Sequence, residues 1–450
     1  MGRSVSEIDL VLRSRRVVTP DGVRPATVAV AEGRIAAVGE WDAAPAGAPC
    51  EELGELALLP GAVDSHVHVN EPGRSAWEGF ETATRAAAAG GVTTIVDMPL
   101  NSIPATTNAA ALAAKRRAAT GRCHVDVGFW GGVVPGNRRA LAALDAAGAL
   151  GFKAFLAPSG VEEFPAISLD ELAASALEIR RLGSLLLVHA EAPERLASAP
   201  SGDPRRHATW LAARPVEAED EAIAALVEIA RATTAPIHVV HVSSAAGVAR
   251  IAAARRAGLP VSGEACPHYL TFCAEEIPDG ATELKCAPPI RGRAEREALW
   301  QALGAGSLAL VASDHSPCPP ELKRRESGDF FAAWGGIASL QLSLSALWSE
   351  ARERGLGLEV LARWLAAGPA ALAGLAARKG AIAPGRDADL VVFDPETSYT
   401  VEPLSLYHRH PMTPYSGRRL TGRVLRTYLR GAAVFDREPV GAPRGRLLSR

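Results

Sequence analysis

The sequence predicts an α/β fold, a TIM-type (β/α)8 barrel with a small β-sandwich beside it. Three observations predict this. Short, buried-looking apolar runs alternate with Ala-rich segments of helical periodicity through residues 58–385, as repeated β/α units require. The runs number eight, the strand count of that barrel. The flanks, 1–57 and 386–450, read instead as short strands with turns. Neither flank has enough strands for a stable sheet by itself, so both ends are expected to join in one composite domain.

In chain order, the eight strands are expected at Leu58–Val69, Val92–Leu100, His124–Val134, Leu150–Leu156, Leu185–Ala190, Ile237–Val242, Val261–Leu270 and Leu308–Ala312. Segments such as Ala76–Ala89 and Glu219–Ala232, rich in Ala, Glu, Arg and Leu, supply helices between them. In the first flank, Ile8–Leu12, Val17-Val18, Thr27–Ala31 and Ile35–Val38 are strand-like, with turns at Pro20-Asp21-Gly22 and Glu32-Gly33-Arg34. The tail continues the style at Asp389–Phe393, Gly422–Leu429 and Ala432–Phe435. A chain of 450 residues is too long for one ordinary core, which agrees with a large barrel plus an appendage.

Composition narrows the function. A formal net charge of -2 gives no basic field for nucleic acid, so a small, neutral or weakly charged substrate is expected. The six cysteines are scattered without a Cys-x-x-Cys pair, which argues against a zinc ribbon or a disulfide framework and for a reduced, cytosolic setting. No stretch has the roughly 20 apolar residues of a membrane span, and MGRSVSEIDLVLRSRR has no signal-like apolar run. The opening MGRSVS fits a permissive myristoylation pattern, which is set aside as coincidence.

Chemistry in such a barrel sits at the C-terminal ends of the strands. The first strand closes with Asp64-Ser65-His66-Val67-His68, and alternation turns His66 and His68 to one face, an arrangement suited to a metal ion. The fourth, fifth, sixth and eighth strands end near Lys153, His189, His241 and Asp314. Such convergence favours a metal centre over unrelated hydrogen-bonded polar residues. His238 and His241 face opposite sides, and His241, nearer the strand end, is the better ligand, with His238 packed outward. Of the adjacent Asp314 and His315 only one can point inward; Asp314 is chosen because a carboxylate can hold a metal and take a proton. His268 is a candidate without an assigned role, with a hydrogen-bonded strand histidine as the alternative; His124, His207, His408 and His410 read as structural or solvent-facing.

Lys153 is the unusual member. An ammonium between Phe152 and Phe155 beside metal ions would be repelled and costly to desolvate, so it should be neutral or chemically changed. Addition of CO2 to the neutral amine would give an anionic carbamate able to bridge two divalent ions across one hydroxide. A lysine salt-bridged at the barrel rim is the alternative.

The set His66, His68, Lys153, His189, His241 and Asp314 resembles the binuclear site of the cyclic amidohydrolases, and the tail Lys379-Gly380-Ala381-Ile382-Ala383-Pro384-Gly385-Arg386-Asp387-Ala388-Asp389-Leu390 resembles that superfamily's return to its small β-sandwich. The resemblance implies two divalent ions, zinc foremost with cobalt, manganese or iron as alternatives. It also implies carboxylation of Lys153 and a homotetramer. It casts Asp314 as the base that takes a proton from the attacking water and returns it to the leaving nitrogen.

The loops point within that superfamily. Dihydroorotases place an Arg after His-x-His to pair a substrate carboxylate, and here the residue is Asn70. Hydantoinases and dihydropyrimidinases carry a Tyr shortly after the lysine, where this chain reads Ala157-Pro158-Ser159-Gly160. The stretches Asn70–Arg74, Trp77–Glu81, Asp97–Ser102, Lys285–Arg291, Ser313–Cys318 and Trp334–Ile337 instead resemble the allantoinases, with Ser75 and Ala287 as mild departures. The resemblance implies allantoin as substrate, with Asn70, Asn101, Ser159, Cys286 and Ser316 as candidate contacts. A hydantoinase- or dihydropyrimidinase-type hydrolase is the alternative. A metal-free interaction protein on the same barrel is disfavoured, because every ligand position is intact.

Overall fold

The computed structural model describes residues 8–43, 48–199 and 201–450. The stretch MGRSVS lies outside them in part of the first flank.

Two parallel sheets carry the interior. One runs in the order Ala62–Val67, Val92–Asp97, Asp126–Phe129; the other in the order Leu310–Val311, Val261–Ala265, Ile237–Val239, Leu186–His189, Phe152–Phe155, Gly131–Gly132. Their residues are buried almost without exception, which is why they read as continuous apolar runs rather than alternating ones. The expected third strand is interrupted at Trp130. There the chain changes partner: Trp130 N–H donates to the Asp97 carbonyl at 3.0 Å, and Gly131 N–H to the Gly151 carbonyl at 2.9 Å. At the opposite margins, Val67 bridges His315 in parallel, and His68 N–H donates to the His315 carbonyl at 2.8 Å.

Helices fill the connections, and their starts follow ordinary capping rules. Asn108 caps Ala109–Ala119 and Ser244 caps Ala245–Arg256. Ser168 caps Leu169–Arg181, with Glu171 three residues on as in a capping box. The helix expected over Ala76–Ala89 begins only at Phe80, because Gly79, at φ 155°, serves as its N-cap. The segment expected from Glu219 begins earlier, at Val216 after Pro215.

Two strand boundaries need correction. The run Leu58–Val69 divides at Gly61, where a Cβ would collide with Thr93. Before it, Ala57–Pro60 pairs antiparallel with Leu390–Thr400 and parallel with Leu10–Thr19; after it, Ala62–Val67 joins the parallel sheet. The run Val261–Leu270 stops at Ala265, since Pro267 opens the short helix Pro267–Thr271, which places His268 on a helix.

Both flanks enter one eight-stranded mixed sheet in which Ala57–Pro60 lies between Leu10–Thr19 and Leu390–Thr400. The tail motif is anchored by charge. The buried Lys379 ammonium reaches Asp126 at 2.7 Å, Asp389 at 2.6 Å and Asp387 at 3.1 Å, and Arg430 pairs with Asp126 and Arg378 with Asp387, so the three carboxylates are matched by three cations of the chain. Leu448 N–H then donates to the Val127 carbonyl at 2.8 Å, tying the chain's last residues to a parallel strand. Among the described residues, no helix is long and apolar enough to cross a membrane.

Candidate active site

The C-terminal ends of the parallel strands surround a cavity of about 400 Å³. His66 and His68 project into it from the end of Ala62–Val67, where Asp64 fixes the backbone by accepting from the N–H groups of His66 and Ser313, both at 3.1 Å. Asp314 meets the histidines: its Oδ1 lies 3.2 Å from His66 Nε2 and 3.4 Å from His68 Nε2. One ligand atom from each of the three lies within 4.8 Å of the others. His315 points away, its Nδ1 accepting from the N–H groups of Ser339 and Leu340, as expected for the neighbour of an inward Asp314.

His189 and His241 line the same cavity, with Nδ1 of the first 3.0 Å from Nε2 of the second. Phe155 stacks on His189 with ring centroids 4.7 Å apart. Beneath them the Lys153 amine is fully buried, has no hydrogen-bond partner among the described residues, and stands 4.9 Å from the Phe155 ring centroid. Burial lowers its pKa to about 7, against the pull of Glu264 and Asp314.

Electrostatics divides the other groups. Burial holds His68 down at about 4 and lowers His189 and His241, so these imidazoles are neutral at pH 7 with lone pairs to offer. Burial pushes Asp314 upward, but His66, His68 and His241 outweigh it and keep the carboxyl below the usual range, ionised. The buried nitrogens Lys153 Nζ, His68 Nδ1 and His241 Nδ1 lack partners among the described residues. A mixed set of neutral imidazoles and a carboxylate, with such nitrogens beside it, fits a divalent cation of the zinc type.

Asn101, Ser159, Cys286 and Ser316 line the cavity. Asn70 does not and is a correction. It is fully buried at φ 66°, and its Nδ2 donates to the Pro317 carbonyl at 3.2 Å, so it shapes the loop after Ser316 instead of facing the cavity. Asn101, His241 and Asp314 also have positive φ, at 63°, 41° and 47°, a clustering of uncommon backbone geometry typical of functional sites.

Sequence reasoning missed the supporting carboxylates. Glu264 is fully buried 2.7 Å from His66 Nδ1 and 3.1 Å from His238 Nε2, so His238 packs onto this network rather than outward as expected. Burial raises the Glu264 pKa, but hydrogen bonds from His238 and His66 prevail and set it at about 2. Glu191 lies 2.7 Å from His189 Nε2 and is clamped by Arg214, a cavity-lining residue. The available signal was a glutamate inside or just beyond an apolar strand run, which is rarely buried without a partner. His268 has neither ring nitrogen partnered among the described residues and does not line the cavity.

Residues 57–434 match the model of the amidohydrolase family. The chain belongs to that family. Its relatives include an allantoinase of Streptomyces avermitilis, 54% identical over 99% of this chain and 100% of that protein. An allantoinase of Saccharomyces cerevisiae is 46% identical over 86% of this chain and 84% of its own. Among solved structures, L-hydantoinase (dihydropyrimidinase) from Arthrobacter aurescens superimposes with a TM-score of 0.92 at 31% identity, covering 99% of this chain and 100% of its own. The stretches Lys285–Ala287 and Trp334–Gly336 both form cavity wall.

Proposed function

We propose that this amidohydrolase opens the hydantoin ring of allantoin to give allantoate. The observation that carries the reading is the likeness, over 99% of the chain, to a protein named allantoinase. The geometry supports ring opening: a carboxylate and four imidazoles meet in a cavity of about 400 Å³, large enough for a single small heterocycle.

In this reading His66, His68, Lys153, His189, His241 and Asp314 hold two divalent ions, zinc foremost, with Lys153 carboxylated by CO2. Bound there, the ions would acidify water and polarise the ring carbonyl. Asp314 accepts a proton from the attacking water as its oxygen adds to the carbonyl carbon, then delivers that proton to the ring nitrogen as the C–N bond breaks, leaving a ureido nitrogen and a carboxylic acid that releases its remaining proton to solvent. His66 and His68 face the Asp314 carboxylate with Nε2 at 3.2 and 3.4 Å, the arrangement a shared cation would hold together. Arg214, Lys285 and the Trp334–Gly336 wall shape the space around the substrate.

The reading extends to architecture and setting. The parallel strands, joined through Trp130 on one side and Val67–His315 on the other, are taken as a closed (β/α)8 barrel over 58–385, and the mixed sheet as a β-sandwich from 1–57 and 386–450. A homotetramer follows from the family resemblance. A cytosolic setting is favoured by the free state of the six cysteines.

The test is a side-by-side assay of allantoin, dihydroorotate, hydantoin and dihydrouracil on metal-loaded protein. Allantoin is expected to turn over fastest. Faster turnover of dihydroorotate or dihydrouracil would overturn the assignment.

A further inference from the structure

We infer that Glu264 is a positioning residue that fixes one histidine from each half of the metal centre. The inference rests on reading His66 and His241 as ligands. Glu264 is fully buried, and its two oxygens face only donors: Oε1 lies 2.7 Å from His66 Nδ1 and accepts from the His241 N–H at 3.4 Å, while Oε2 lies 3.1 Å from His238 Nε2. The remaining nitrogen of His238, Nδ1, is 2.8 Å from the Ser262 hydroxyl.

Counting protons fixes the tautomers. A carboxylate only accepts, so His66 carries its proton on Nδ1 and leaves the Nε2 lone pair toward Asp314 and the cavity. His238 likewise carries its proton on Nε2, so its Nδ1 accepts from Ser262. The backbone at His241 is held at φ 41°, an uncommon conformation for a residue with a side chain, and the Glu264 oxygen is one of the groups that hold it. A single carboxylate on Val261–Ala265 thus orients a ring from Ala62–Val67 and a backbone just past Ile237–Val239.

Glu264→Gln keeps the shape but replaces one acceptor oxygen by an NH2 donor. The negative charge and one acceptor are lost, so His66 is held less firmly in the Nδ1–H tautomer, and the Nε2–H form it can then adopt has no lone pair on the cavity side. Zinc affinity, measured by chelator competition, is expected to fall about 10- to 100-fold, and the visible spectrum of the cobalt-loaded variant to differ from wild type. Wild-type affinity together with an unchanged cobalt spectrum in Glu264→Gln would overturn the inference. A second measurement does not depend on that variant folding: nitrogen NMR of metal-free wild type, with His66 assigned by its loss in His66→Asn, should show the Nδ1–H tautomer. An Nε2–H tautomer would overturn the inference. Wild type that binds neither zinc nor cobalt would instead overturn the reading of His66 and His241 as ligands, a result separate from either failure of Glu264.

Discussion

His189 turns Nδ1 toward His241 Nε2 at 3.0 Å while its Nε2 lies 2.7 Å from Glu191. Glu191 is fully buried and ionised: burial opposes this, but Arg214 and His189 hold its pKa at about 2. The carboxylate therefore takes the His189 Nε2 proton and leaves the Nδ1 lone pair on the cavity side. His66 shows Nε2 to the cavity and His189 shows Nδ1, and in each case a buried glutamate makes the choice.

The Glu191 arrangement predicts a selective loss of metal. In Glu191→Gln the His189 lone pair is no longer fixed toward the cavity and Arg214 loses its counter-charge. Of the two ions proposed for wild type, one is expected to stay tightly bound in the variant and the other to weaken about 10- to 100-fold. Equilibrium dialysis with metal analysis reads this directly. Two equally tight ions in the variant would remove Glu191 from the role.

In the proposed mechanism Asp314 acts as ligand and as proton carrier, and the two roles separate by substitution. Asp314→Asn retains an oxygen toward His66 and His68 but cannot accept a proton. Much of the metal should remain, while kcat falls by roughly 10² or more, the usual scale for losing a general acid/base. Near-normal turnover in folded, metal-loaded variant would exclude the proton-transfer role.

A third expectation concerns stability and pH. Burial lowers His207, His268 and His408 from 6.5 to about 4. Between those values the unfolded chain binds protons that the folded chain refuses, so the contribution of each is complete above pH 6.5 and is lost as pH falls toward 4. The slope is about 1 kcal/mol per pH unit for each histidine. Asp64, raised to about 6 by burial, works in the opposite sense and offsets part of it. His207→Asn isolates one contribution: denaturation of metal-free protein between pH 4.5 and 6.5 should be less steeply pH-dependent in the variant than in wild type, and equal slopes would show that His207 is not held neutral.

Much of this was legible in the sequence, and the reasons are local. His66 and His68 follow from strand alternation, and adjacency leaves room for only one of Asp314 and His315 to point inward, the carboxylate being chosen for its chemistry; both rules act over one or two residues. What failed depends on contacts distant in sequence. His238 was expected to pack outward because alternation sets it against His241, but His241 leaves the regular strand at φ 41°, so the alternation no longer ranks the two. Glu264 acts on His66 from 198 residues away, which no periodicity records. Asn70 was expected to face substrate on the strength of its place after His68, whereas its positive φ turns it onto Pro317. The split at Gly61 was hidden because apolar residues continue unbroken from one sheet into the next.

Lys153 carries the last prediction. Its amine is fully buried, without a hydrogen-bond partner among the described residues, and burial brings its pKa to about 7, so a neutral fraction is present at physiological pH. Unmodified, it cannot bridge two cations, because an ammonium has no lone pair and an amine has one. The neutral nitrogen can attack CO2, forming an N–C bond and giving up one proton, and the product has two oxygens that share one negative charge. Protein stripped by chelator and reloaded with zinc is therefore expected to recover faster when bicarbonate is supplied. Lys153→Ala should be inactive, and a short carboxylic acid should partly restore it by placing two oxygens in the vacated volume. Gentle, non-denaturing mass measurement should find added CO2 on wild type and none on the variant. A crystal structure of fully active protein with an ordered, unmodified Lys153 side chain would refute the carbamate, and the second ion would then need a ligand other than this lysine.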